Sequence, residues 1–140
     1  MRKIWILVGL LLIACGNSGE AVVPKAETIA CTTAYRSSVE MGIEQEETLI
    51  FTDTDDEQVV VFADMVFHAA YSAGLADNER ALRVWLTDAA DTTVFHSILY
   101  QLALEDGPQN QFVGGHGFTG LNYSYVPDSS AELQFWCEAN

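Results

Sequence analysis

The sequence predicts an all-β domain: an antiparallel β-sandwich or barrel of about seven to eight strands. A signal-peptide helix and a flexible tether precede it. Three observations carry that expectation. From Thr28 onward apolar and polar residues alternate with a period of two, without a sustained helical period. Clusters of Gly, Pro, Asn and Asp punctuate the alternation at short intervals. Hydrophobic residues make up 49% of the 140 residues and charged residues only 19%, a composition that builds a core rather than a disordered chain. The formal charge of −14 leaves no basic surface to displace counterions from phosphates, so nucleic acid is excluded as a partner class.

In chain order, residues 1–14 come first. Arg2 and Lys3 precede an uncharged run, Ile4 to Ala14. As a helix that run spans about 16 Å, roughly half a bilayer's hydrocarbon core, which suits a signal-peptide core and is short for a membrane span. It ends in Leu12-Ile13-Ala14-Cys15-Gly16. This ending resembles the lipobox of bacterial lipoprotein precursors, with Leu12 at the branched apolar position, Ala14 at the cut and Cys15 as lipid acceptor. The resemblance implies cleavage before Cys15, acylation there, and a cell-envelope location. Gly16 in place of Asp favours the outer membrane in a cell that has two. Several acyl chains would anchor durably, since one alone holds only marginally at about 0.8 kcal/mol per buried methylene. Residues 15–27 carry Gly-Asn-Ser-Gly and Val-Val-Pro-Lys with no periodicity and read as the tether.

Residues 28–140 form the single predicted β domain. Its strands are expected near 28–39, 48–52, 58–72, 80–87, 93–103, 118–126 and 131–138. The first places Ile29, Cys31, Tyr35 and Val39 on one face. The third is long, with apolar residues at every odd position from Val59 to Tyr71. Leu82, Val84 and Leu86 alternate with Arg83 and Trp85, and Leu133, Phe135 and Cys137 alternate with Gln134 and Trp136. Turns are expected at Ala73-Gly74, Asp77-Asn78, Asp106-Gly107-Pro108 and Pro127-Asp128.

With Cys15 acylated, Cys31 and Cys137 remain, and an exported pair predicts one disulfide between the first and last strands. Seven alternating strands would leave these two cysteines at opposite ends unless the first strand is offset. An eighth brings them together, through a bend in the 58–72 strand or a short strand at Gln111–Gly114.

Four sets of residues are candidates for chemistry. Asp53, Asp55, Asp56 and Glu57 end a stretch from Glu44 that holds seven acids and no base. With simple strand alternation, their turn shares one end of the domain with Asp88, Asp91 and Asp128. Clustered carboxylates of this kind supply the oxygen ligands of calcium, although the EF-hand Gly and distal Glu are missing. The alternative is a set of solvated turns that maintain solubility. Phe112 to Gly120 is glycine-rich and contains His116, a candidate ligand or general base, against the plainer reading of a turn crossing between sheets. His68 and His96 lie on strands, where two histidines and an Asp can hold zinc or copper. Trp85, Trp136 and Phe62 face away from the predicted core and, if adjacent, form an apolar or sugar-stacking patch.

The function these features predict is a lipid-anchored envelope protein carrying a small non-catalytic binding or structural domain, calcium-assisted or in contact with a glycan or protein. The alternative is a small metal-dependent hydrolase or inhibitor centred on His116.

Overall fold

The computed structural model describes residues 28–52, 56–72, 80–102, 110–112 and 114–140. The signal segment, Cys15, the tether, Asp53, Asp55 and the turns at Ala73-Gly74, Asp77-Asn78 and Asp106-Gly107-Pro108 lie outside them. The described chain is all-β: β1 (Ile29–Arg36), β2 (Gln45–Phe51), β3 (Asp56–Val61), β4 (Met65–Ser72), β5 (Ala81–Asp88), β6 (Val94–Gln101), β7 (Asn122–Tyr125) and β8 (Glu132–Ala139). They form two four-stranded antiparallel sheets in a sandwich, ordered β2-β1-β8-β7 and β3-β4-β5-β6.

The expected single strand over 58–72 is two. A tight hairpin closes between Phe62 and Met65, whose backbones hydrogen-bond (Phe62 N donating to Met65 O, 2.9 Å). The pairing places Val60 opposite Phe67 and Val59 opposite His68. Each inward odd residue of β4 therefore faces an even residue of β3. Met65, Phe67, Ala69 and Tyr71 are buried as the alternation predicts, whereas Val59 and Val61 turn outward and Val60 and Phe62 turn in. The run Val59-Val60-Val61-Phe62 is apolar on both faces, so its pattern could not reveal the switch. Phe62 belongs to the core and stacks on Tyr35 with ring centres 5.0 Å apart, which removes it from the outward aromatic set. Val39 lies beyond the end of β1 and is exposed.

This added reversal is the eighth strand the cysteines pointed to. Cys31 and Cys137 are register partners on β1 and β8, fully buried, and joined by a disulfide. Around them pack Ile29, Phe135, Leu133, Phe67, Leu82, Val84 and Leu86. The ends of the described chain also meet: Asn140 N donates to Thr28 O at 2.8 Å.

One buried charge is balanced in place. The Glu132 carboxylate is 2% exposed and accepts from Arg36 Nη2 at 2.7 Å, Arg36 Nε at 2.9 Å and Gln134 Nε2 at 2.8 Å. Its hydrogen bonds and the guanidinium outweigh the cost of burial and hold its carboxyl below the usual range.

The glycine-rich segment follows the strand change from one sheet to the other, β6 to β7, as its plainer reading anticipates. Gly117 lies flat against β8 with φ +58°, and a Cβ there would overlap the Cys137 carbonyl. Phe118 N donates to that carbonyl at 3.0 Å, and Cys137 N donates to Thr119 Oγ1 at 2.8 Å. The segment therefore extends the hydrogen bonding of β8 beyond the end of β7.

Candidate functional site on the outer face of the second sheet

Hairpin geometry lines up side chains in rows across the solvent side of β3-β4-β5-β6. One row runs Val59, His68, Trp85, Ser97; the next runs Glu57, Ala70, Arg83, Leu99. In the first row His68 stacks on Trp85, ring centres 4.8 Å apart and nearly parallel at 10°. The Arg83 guanidinium sits 4.7 Å from the centre of the Trp85 ring, a cation–π contact two residues along the same strand.

His68 is almost buried, with 7% of its side chain exposed, and both ring nitrogens meet carboxylates. Nδ1 lies 3.1 Å from Glu57 Oε1 and Nε2 lies 2.9 Å from Asp91 Oδ1. Carboxylates only accept, so a ring nitrogen that carries hydrogen donates to the carboxylate it faces, and the two contacts fix the plane of the ring. Asp91 arrives from the β5–β6 turn. A register shift at Leu86/Thr87 turns the chain there, and Asp91 adopts φ 55°. Asp88 caps the turn by accepting from Thr92 N at 2.8 Å, and Thr87 Oγ1 donates to Asp91 at 2.6 Å. These bonds hold both carboxyls below their ordinary range: for Asp88 chiefly the Thr92 backbone, for Asp91 the Thr87 hydroxyl and then His68.

Beside this cluster, the second row forms a groove of about 340 Å³. Small residues make its floor, Ala70, Ser72 and Ala81, while Glu57, Arg83 and Leu99 rise around it. Among the described residues no carboxylate pairs with Arg83, and its guanidinium carbon sits over the Trp85 ring. The groove offers a cation, the Glu57 carboxylate and an apolar base within one surface.

The other candidates are dispersed. The expected common end for the acidic turns does not form, because the extra hairpin reverses the chain. The β5–β6 and β7–β8 turns share an end with the β3–β4 hairpin, where Tyr35 donates to Asp64, and the end of β2 at Phe51 and the start of β3 at Asp56 lie at the opposite end. Asp88 and Asp91 are engaged by their own turn and by His68, and no group of three or more His, Cys, Asp or Glu among the described residues is placed to hold a metal ion. Trp85 and Trp136 occupy outer faces of different sheets, so the joint aromatic patch does not exist. His68 faces outward while His96 faces the core, edge-on to Phe135 with Nδ1 3.1 Å from Ser124 Oγ, so the two cannot share a metal. His116 sits edge-to-face on Trp136 at 5.4 Å, and among the described residues no hydrogen bond joins its ring to a second titratable group.

Sequence reasoning placed Trp85 outward and Glu57 and Asp91 among the acids, but missed that His68 gathers them. The available signal was the even-numbered face of β4, which sets His68 beside Trp85 once the hairpin is known. No family model, curated protein or solved structure matches the chain.

Proposed function

We propose that this chain is a lipid-anchored protein of the bacterial cell envelope whose β-sandwich binds a ligand without chemical turnover, using the outer face of the β3-β4-β5-β6 sheet. The observation that carries the binding role is the groove between Glu57 and Arg83, whose walls are held by the His68 and Trp85 stack before any ligand arrives. Fixing these side chains in advance lowers the ordering cost of association. Envelope location is supported by the Leu12-to-Cys15 ending and by the Cys31–Cys137 disulfide, which accounts for two of the three cysteines and suits an oxidising compartment. The acidic body is repelled by anionic head groups, so lipid at Cys15 supplies the attachment.

The test is expression in a bacterial host with labelled palmitate, comparing the natural chain with Cys15→Ser. Label and membrane association should both disappear in the variant. An unmodified Cys15 thiol on mass spectrometry of the natural protein, or membrane retention of the variant, would overturn the anchoring.

A further inference from the structure

We infer that the groove on the β3-β4-β5-β6 face selects a zwitterion with an apolar body, the chemistry of a short apolar peptide with both ends free. The inference deepens the binding reading above and rests on it.

The groove's central row sets two opposite charges on either side of a small residue: Glu57 pairs with Ala70, and Ala70 with Arg83. Strands lie about 4.8 Å apart, so the Glu57 and Arg83 backbones are roughly 10 Å from one another. Ala70 leaves the space between them open, and Leu99, 66% exposed, adds an apolar wall beyond Arg83. A ligand lying along this row meets a cation at one end, a hydrocarbon floor in the middle and a carboxylate at the other.

Charge decides between ligand classes. A simple anion would be drawn to Arg83 but repelled by Asp56, Glu57 and the net charge of −14. A simple cation has twenty acidic side chains to choose from and gains nothing from this groove. A zwitterion satisfies Arg83 with its carboxylate and Glu57 with its ammonium, and escapes the overall repulsion. The guanidinium is already oriented by Trp85, and Glu57 by His68, so both charge-assisted contacts form without ordering long side chains.

The probe is Leu-Leu dipeptide, titrated into ¹⁵N-labelled full-length protein in detergent and followed by amide shifts. N-acetyl-Leu-Leu and Leu-Leu-amide serve as single-charge controls. Saturable shifts should centre on Ala70, Arg83 and Leu99, and blocking either end should weaken binding about tenfold or more, the scale of one charged contact. Arg83→Gln should abolish the preference for a free carboxylate. Ala70→Leu should fill the groove and remove binding while the His68 and Trp85 resonances stay in place. The inference is overturned by an absence of saturable shifts up to about 10 mM, weaker than any useful affinity. Equal binding of the blocked peptides, or shifts mapping away from Ala70, overturn it too. None of these results touches the anchoring at Cys15, which the palmitate experiment decides separately.

Discussion

Breaking the Cys31–Cys137 link should cost more stability than any other single change in the domain. The bonded residues are 106 apart in sequence, so the bridge denies the unfolded chain a very large set of open conformations. The chain-entropy relation gives about 5 kcal/mol at 25 °C for a loop of that length. A domain of about 110 residues unfolds with an entropy near 0.23 kcal/mol per kelvin, so the melting temperature should fall by roughly 20 °C. Two measurements separate the cross-link from its contribution to the core. Scanning calorimetry of the natural protein with and without reductant removes the bond but keeps both sulfurs at 0% exposure. Cys31→Ala with Cys137→Ala removes the sulfurs as well, adding about 1 kcal/mol or more of lost burial and cavity. Reduced protein should retain its far-ultraviolet strand signal at low temperature, because β1 and β8 still pair from Ile29–Ala139 to Arg36–Glu132. A fall of less than about 5 °C on reduction would refute the reasoning, since it would mean the unfolded ensemble is confined by something other than this loop.

Further expectations follow from single contacts. Gly117→Ala should destabilise the fold by about 3 kcal/mol in urea melts, because a Cβ would meet the Cys137 carbonyl at a left-handed φ of +58°. An unchanged urea midpoint would count against the close seating of Gly117 on β8. Arg36→Ala leaves the Glu132 carboxylate, 2% exposed, without its cation, a loss of about 3 kcal/mol at pH 7. That loss should shrink in acid, where the lone carboxyl takes up a proton, and an equal loss at both pH values would exclude the ion pair as its cause. Burial holds the His96 imidazole below its ordinary 6.5, since the charged form is deprived of water there. The unfolded chain therefore binds this proton first, and folding stability should decline as pH falls below 6.5 until folded His96 itself protonates. His96→Gln should flatten that segment of the stability profile; an unchanged slope would assign it to other groups. Asp88 and Asp91, held below the ordinary 3.8, add stability that is fully present above that value and is lost as pH falls through their lowered ones. Hydrogen exchange at Thr92 and Thr93 amides should rise in that acid window, and unchanged protection would deny the capping role of Asp88.

Much of the fold was legible because strands with one buried face write a period of two. β5 and β8 show it cleanly, with Leu82, Val84 and Leu86 and with Leu133, Phe135 and Cys137 inward. The cysteine pair carried information that no local pattern holds, since an even strand count brings Cys31 to Cys137 as antiparallel partners. The cysteines also pointed to a bend in the 58–72 strand, but its position at Ala63-Asp64 stayed hidden, since that turn has neither Gly nor Pro to announce it and sits inside an apolar run. The unknown position of that reversal is what moved Phe62 from an expected surface patch into the core and set Glu57 beside His68 rather than in an end cluster with Asp88. It also obscured the candidate site, because the partners of His68 come from β3, β5 and a turn, and only the correct register sets them side by side.

The meeting of Thr28 with Asn140 gives the domain a natural seam. Two ends of the β-sandwich this close can be spliced by a short linker, and new ends can be opened at Pro127–Asp128, where both residues are exposed and the backbone turns with φ 61° at Asp128. A circular permutant made there would keep every strand neighbour. Its new ends would lie at the opposite pole, so a partner fused there would sit beside the β3–β4 hairpin without altering a single buried residue.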